Sequence, residues 1–326
     1  MKVENNLDTD KVRGLVWRLA FPSMLAQFVN VMYSIVDRMY IGNIPEIGAL
    51  ALAGVGICGP VVTLISSFAS WIGVGGAPLM SIRLGQKNER AAAQMVANCF
   101  ALLTGMALII MIVSYLFKDQ LLVFFGAGPA IFPYANQYMS WYLTGTAFAL
   151  ISAGMNQFII CQGFATVGMK SVVLGAVSNI VLDPMLIFGI GFFPEMGVAG
   201  AAAATVASQA VVTAVMLWHV RKDTILFNRI QFWKKTPLPY FIIMVKIGFP
   251  AAVQETIYCG ISMLLTRFVT GWGDTAVAVQ RVGGQIESLS WMAAEGFGMA
   301  INAFVGQNYG ARQFGRMRKG YLLQPG

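Results

Sequence analysis

Eight apolar segments, each long enough to cross a bilayer, determine what this chain can fold into. A helix of about 20 residues spans the hydrocarbon core of roughly 30 Å, and a segment inside a membrane must satisfy its own backbone hydrogen bonds. Segments of this length do so as helices. They lie at approximately 15–41, 50–72, 91–117, 134–160, 169–193, 198–218, 240–269 and 276–304. The sequence therefore predicts an all-α, polytopic membrane helix bundle.

The amino-acid composition agrees with a membrane protein. Hydrophobic residues make up 57% of the 326 residues and charged residues only 11%, whereas about a quarter of a soluble domain is charged. The first span is too long for a cleavable signal peptide and lacks a small-residue cleavage site. The cysteines stand singly in apolar runs without metal-type spacing and are interpreted as core thiols: Cys58, Cys99, Cys161 and Cys259.

The net charge of +8 is concentrated in alternate connections between the spans. By the positive-inside rule these connections face the cytoplasm, and so does the N-terminus. The charge therefore needs no nucleic-acid partner to explain it. The residues that carry it follow spans two, four, six and eight: Arg83, Lys87, Arg90, Lys170, Arg221, Lys222, Arg229, Lys234, Lys235, Arg312, Arg316, Arg318 and Lys319.

Asp183 lies inside the fifth apolar segment, where a carboxylate needs an explanation. An acid at the centre of a membrane helix costs roughly 2.5–3.5 kcal/mol, so it is treated as a functional-site hypothesis. Asn179 lies one turn earlier on the same helical face. Pro184 has no N–H and leaves the carbonyl of Ile180 without its helical donor. These three kinds of oxygen suit a dehydrated monovalent cation or a transferable proton.

Two further residues could face Asp183 from other helices. Asp37 lies about one turn inside the outer end of the first span, and an interfacial acid that reaches water is the alternative. Thr205 lies on the sixth span, whose small residues let the fifth span approach closely. A threonine that bonds a carbonyl of its own helix is the alternative there. From the residues alone, this group is a polar cluster inside the bundle.

The fourth span mixes carboxamides with aromatic residues. Such a mixture suits the wall of a cavity, and interhelical hydrogen bonds with core aromatics explain it equally well. The residues concerned are Gln137, Tyr138, Trp141, Tyr142, Phe148, Asn156 and Gln157.

An internal repeat divides the chain. Residues 246–250 resemble residues 18–22, and residues 303–310 resemble residues 81–88, at an offset of about 220–230 residues. Two related halves are typical of secondary transporters. Because the second half has only its first two spans, we expect a C-terminally truncated chain that does not transport by itself. The expected division is a six-helix N-lobe at 1–220, a cytoplasmic linker at 221–239 and a partial C-lobe at 240–326.

Four stretches of the chain, taken together, closely resemble the multidrug and toxic compound extrusion (MATE) family in its bacterial branch. They are residues 33–42, 76–88, 179–184 and 304–311. The resemblance implies a fold of twelve helices, of which this chain has the six-helix N-lobe and two helices of an incomplete C-lobe. It also implies an antiporter, not an enzyme, that exports cationic, amphipathic small molecules by alternating access in exchange for Na⁺ or H⁺.

The resemblance also implies where the coupling ion binds. Asp37, Asn179, Asp183 and Thr205 correspond in position to a cation site in the N-lobe of family members. No other metal or cofactor is implied. A monomer in the bacterial plasma membrane, with its N-terminus in the cytoplasm, is expected.

Further acids lie in the second half. Glu255 follows Pro250 in the seventh span. The resemblance implies that some family members carry a coupling acid in that helix, at a longer spacing from the proline. The eighth span carries Arg281, Glu287 and Glu295. Arg281 and Glu287 are poorly spaced for a contact along one helix, so a partner on another span is the better interpretation.

Two other functions are consistent with parts of the sequence. A lipid-linked oligosaccharide flippase of the same superfamily should show basic residues for a pyrophosphate, yet no Arg or Lys lies at mid-depth in the first six spans. A membrane enzyme or receptor would need a constellation of reactive residues. The only histidine, His219, lies at a helix end beside Arg221, without metal-type spacing.

Overall fold

The computed structural model describes residues 5–7, 10–222, 238–272 and 274–322. Every regular element among these residues is an α-helix, which confirms the predicted fold class. The predicted linker at 221–239 lies mostly outside the described residues. The helices are α1 (Val12–Gly42), α2 (Gly48–Gly85), α3 (Glu89–Leu116), α4 (Lys118–Phe124), α5 (Phe132–Thr144), α6 (Thr146–Cys161), α7 (Ala165–Ile187), α8 (Val198–Lys222), α9 (Leu238–Thr270), α10 (Asp274–Gly310) and α11 (Phe314–Tyr321).

Among the described residues, six helices are long and apolar enough to cross a membrane, and the pair α5–α6 would make a seventh. These helices account for the first seven predicted spans. The eighth predicted span corresponds to α10, which is 37 residues long but is not in that group. Its polar and charged residues, among them Gln280, Glu287 and Glu295, lower its apolar character.

The fourth predicted span is two helices rather than one. α5 and α6 meet at Gly145 with a bend of 59°. The side chain of Val206 on α8 lies where a Cβ at Gly145 would be, so α8 approaches the bend only because this residue is glycine. In the last turn of α5, Thr144 Oγ1 donates a hydrogen bond to the carbonyl of Trp141, 2.7 Å away. A neighbouring helix therefore packs directly against the bend, a contact that a local sequence pattern does not show.

α7 is held by two helices that also carry predicted site residues. α8 packs closely on α7, since a Cβ at Gly200 would overlap the carbonyl of Leu186 and a Cβ at Gly175 would overlap Val212. This close approach agrees with the small-residue face predicted for the sixth span. α1 also packs along α7. The arrangement places α1 and α8 around the buried part of α7.

The two halves of the chain are in backbone contact where α2 crosses α10. A Cβ at Gly85 would overlap the carbonyl of Gln307, and a Cβ at Gly310 would overlap the carbonyl of Ile82. On each helix, the glycine lies three residues after the residue whose carbonyl faces the other helix, Ile82 on α2 and Gln307 on α10. On each helix, therefore, a glycine meets a backbone carbonyl of the other helix. We call this place the α2–α10 crossing.

The ends of these two helices are also alike. Lys87 and Arg312 follow Gly85 and Gly310 at the same distance along the chain, and both have a left-handed backbone, with φ of 57° and 59°. Left-handed residues commonly end helices, and glycine or asparagine is the usual choice there. The shared unusual geometry supports the internal repeat inferred from the sequence.

Candidate functional site

The carboxyl groups of Asp37 on α1 and Asp183 on α7 lie within hydrogen-bonding reach of each other. The packing of α1 along α7 brings them together. Asp183 is fully buried and Asp37 is 8% exposed, so both lie inside the bundle. The alternative interpretation of Asp37, an interfacial acid in contact with water, does not fit this burial.

Asn179 joins the same group. It is fully buried, and its Nδ2 donates a hydrogen bond to Asp183 Oδ1 at 3.2 Å. The two residues are one turn apart on α7, as their spacing predicts. The structure thus brings together three of the four residues that the resemblance assigns to a cation site.

Several buried oxygens in this group have no hydrogen-bond partner among the described residues. They are Asp37 Oδ1, Asp183 Oδ2 and Asn179 Oδ1. Buried polar atoms nearly always have a partner, so an unpartnered set of acceptors needs an explanation. Two carboxylates in contact repel each other unless a proton or a cation lies between them. Oxygen ligands suit hard cations such as Na⁺, so the residues present fit either ion.

Thr205 lies on α8 and is buried, but no hydrogen bond among the described residues joins it to the acidic pair. Its carbonyl accepts a hydrogen bond from Ser208 Oγ at 2.8 Å. Its assignment to the cation site remains a prediction. α7 continues through Pro184 to Ile187, and Pro184 cannot donate to the carbonyl of Ile180, so that carbonyl remains a further candidate ligand.

Two tyrosines that the sequence analysis did not assign to the site lie beside the acids. Tyr33 is one turn before Asp37 and lies within electrostatic range of Asp37 and Asp183. Tyr138 lies near Asp37 and stacks on Tyr142, with ring centroids 6.1 Å apart and planes at 11°. The spacing of Tyr33 and Asp37 on one helical face could have identified Tyr33, whereas Tyr138 depends on how α5 packs.

A cavity of about 630 Å³ adjoins this group. Tyr33 of α1 lines it, and so do Tyr142, Asn156 and Gln157, which supports the cavity interpretation of the fourth span for these last three residues. Trp141 is exposed on the outside of the bundle instead. The polar residues that line the cavity are Gln27, Asn30, Tyr33, Ser34, Ser66, Ser70, Tyr142, Ser152, Asn156, Gln157, Ser208, Gln209, Ser288 and Glu295.

Two acids of the second half, Glu255 and Glu295, contact the first half. Glu295 on α10 accepts a hydrogen bond from Gln27 on α1, and Glu255 on α9 interacts with Ser70 on α2. Glu287 accepts a hydrogen bond from Trp291 Nε1 at 3.2 Å. The side chain of Arg281 lies outside the described residues, so its expected ion pair remains a prediction.

Comparison with known proteins agrees with the resemblance. A family model described as MatE matches residues 22–185 and 250–323, more than half of the chain. Among curated proteins, the chain is 24% identical to the probable multidrug resistance protein YoeA of Bacillus subtilis (strain 168), over 95% of the chain and 68% of that protein. It is 25% identical to an FAD transporter of Shewanella oneidensis, over 99% of the chain and 71% of that protein.

Solved structures show the same relationship. A MOP superfamily transporter from Pyrococcus furiosus superposes with a TM-score of 0.87 at 26% identity, over 99% of this chain and 70% of that one. An outward-facing multidrug resistance MATE family transporter superposes with a TM-score of 0.85 at 26% identity, over 96% of this chain and 68% of that one. Members of this family are transporters rather than enzymes. The family match, supported by this fold, means that the chain belongs to the MatE family of membrane transporters.

Proposed function

We propose that this chain carries the ion-coupling site of an exporter that exchanges Na⁺ or H⁺ for cationic, amphipathic small molecules by alternating access. The observation that carries the proposal is the contact between Asp37 and Asp183, with unpartnered oxygens on both acids and on Asn179. A cation or a proton would supply the missing positive charge. No resident cofactor is part of the proposal.

Ion binding can be coupled to the shape of the cavity because the two acids lie on different helices, α1 and α7. Without an ion, repulsion between the carboxylates favours separation of α1 from α7; with an ion bound, both helices are drawn together. α1 also supplies Tyr33 and Ser34 to the cavity wall. Ion occupancy therefore changes the shape of the cavity, which is the differential interaction that coupling requires.

The cavity supports a small-molecule substrate. Its volume is within the range of roughly 300–1,000 Å³ found for ligand pockets. Glu295 places an acid on the wall, which favours a positively charged substrate. Two of the related proteins are described as multidrug resistance proteins and one as an FAD transporter, so the relatives differ in what they carry. They do not favour the oligosaccharide flippase.

We place the protein in the bacterial plasma membrane as a multi-pass monomer. The charged connections support an N-terminus on the cytoplasmic side.

A sodium titration of the purified chain tests the coupling site. We expect NaCl to raise the melting temperature above that in choline chloride of equal ionic strength, because an ion that binds only the folded state stabilises it. The stabilisation would be about 2.7 kcal/mol at a hundredfold excess over the Kd. Asp183→Asn should abolish this response, since it removes one of the two charges that hold the ion.

Glu195→Gln is the matched control, because Glu195 is an exposed acid in the loop between α7 and α8. It should respond to sodium like the unaltered chain. If stabilisation follows acidification instead of sodium, and Asp183→Asn removes it, the coupling ion is H⁺. An undiminished response to both ions in Asp183→Asn would contradict the proposal.

A further inference from the structure

The segment before α1 crosses one end of the bundle and contacts both halves of the chain. We call residues 5–7 and 10–11 of this segment the strap. The side chain of Leu7 is only 2% exposed, although it lies outside any helix. An apolar side chain buried this completely in an N-terminal segment shows that the strap is packed into the structure.

At its beginning, the strap is bound to the first half. Asn5 Nδ2 donates a hydrogen bond to the carbonyl of Gly163, in the turn between α6 and α7, at 2.9 Å. Gly163 has a left-handed backbone with φ of 96°, and a Cβ there would lie 2.9 Å from the side chain of Leu7. The strap therefore packs on this turn, which we call its seat.

Further along, the strap is bound to the second half. The carbonyl of Leu7 accepts hydrogen bonds from Asn308 Nδ2 on α10 at 3.2 Å and from Arg316 Nε and Nη2 on α11 at 3.3 and 3.2 Å. Arg316 also donates to the carbonyl of Asp10. A single guanidinium thus holds two strap carbonyls, and hydrogen bonds from a charged donor are stronger than those between neutral groups.

The strap lies over the place where the two halves close against each other. Next to its seat, the carbonyl of Cys161 at the end of α6 accepts hydrogen bonds from Ser81 Oγ on α2 and Gln307 Nε2 on α10, both at 3.2 Å. A Cβ at Gly306 would also overlap Ser81. Cys161 is buried, so this end of the bundle is closed.

We propose that the strap is a latch that keeps this end of the bundle closed and must release α10 and α11 before the end can open. Separation of α2 from α10 cannot occur while Asn5 holds Gly163 and Arg316 holds Leu7 and Asp10. The strap is also tied to α1, because the carboxylate of Asp10 forms an ion pair with Arg18 at 2.5 Å. The latch therefore connects the closure of this end to the helix that carries Asp37.

Alkylation of Cys161 by N-ethylmaleimide, followed at peptide resolution by mass spectrometry on the purified chain, tests the latch. Labelling of a buried thiol follows the population of the open form when reclosing is fast. Arg316→Ala should accelerate labelling of Cys161 about tenfold, since bonds to a charged donor are lost. Asn5→Ala, at the other end of the strap, should act in the same direction, and Arg316→Lys should restore part of the protection.

Arg318→Ala and Lys319→Ala are matched controls, because both residues are exposed on the same helix as Arg316. They should leave the labelling rate unchanged. Cys58 reports on general unfolding, since it is buried inside the first half, where its Sγ contacts the carbonyl of Ala135. An unchanged rate at Cys161 in Arg316→Ala would overturn the latch. So would a parallel rise at Cys58, because the bonds would then stabilise the whole fold rather than close one end. Neither readout depends on a coupling ion or a substrate.

Discussion

Valine in place of Gly85 should lower the free energy of unfolding by about 2–3 kcal/mol, the cost typical of forcing extra methyl groups into a packed contact. The added Cβ would overlap the carbonyl of Gln307, which is backbone and cannot rotate away. α2 and α10 must therefore move apart, which also weakens the hydrogen bonds that Ser81 and Gln307 make to Cys161. Denaturant unfolding of the purified chain in a mild detergent measures the loss.

Gly59 offers a matched control on the same helix. It has no atom within 4 Å of an added Cβ, so Gly59→Val should change the free energy of unfolding by less than about 0.5 kcal/mol. Gly310→Val should repeat the effect of Gly85→Val, because it would overlap the carbonyl of Ile82. Equal losses at Gly59 and Gly85 would show that the valine side chain itself, and not the crossing, causes the instability.

Asp37→Asn should raise the stability of the protein in the absence of coupling ions by about 2 kcal/mol. Two like charges in contact cost up to roughly 4 kcal/mol at the effective dielectric constant of a protein, and an asparagine can donate a hydrogen bond to the remaining carboxylate. Because one substitution already removes the repulsion, adding Asp183→Asn should contribute much less. Unfolding of the two single variants and the double variant in choline buffer at alkaline pH, where neither Na⁺ nor a shared proton neutralises the pair, completes the cycle.

The double-mutant cycle also tests whether Asp37 and Asp183 interact at all. If Asp37 and Asp183 act independently, the two substitutions will have additive effects. If Asp37→Asn destabilises the ion-free protein, the pair is held by contacts other than a proton or cation, and the coupling site proposed above is wrong. Glu195→Gln, remote from the pair, should leave stability unchanged.

The sequence predicted most of the helices because a membrane span is encoded by length and apolar composition. It did not predict the bend at Gly145, where Val206 on another helix packs against the glycine. Nor did it identify α10 as different from the other spans. The contact at the bend is between distant segments, which a local pattern does not show, whereas the lower apolar character of α10 lies in its own polar and charged residues.

The candidate site likewise contains residues that a local pattern reveals and residues that depend on packing. Asp37, Asn179 and Asp183 could be predicted because a carboxylate in an apolar helix is costly and its one-turn neighbour is known from spacing alone. The position of Thr205 could not be predicted, because the rotation of α8 about its axis depends on packing. The strap was missed altogether. Its hydrogen bonds are accepted by backbone carbonyls, those of Leu7, Asp10 and Gly163, and every residue type has such a carbonyl.

The matched contacts at the α2–α10 crossing have a mechanical consequence. Because Gly85 meets Gln307 as Gly310 meets Ile82, the two halves cannot separate here without breaking both contacts. Neither contact is expected to break before the other. We therefore expect α2 and α10 to separate at the crossing in a single concerted step, with few partly open forms between the closed and the open arrangement.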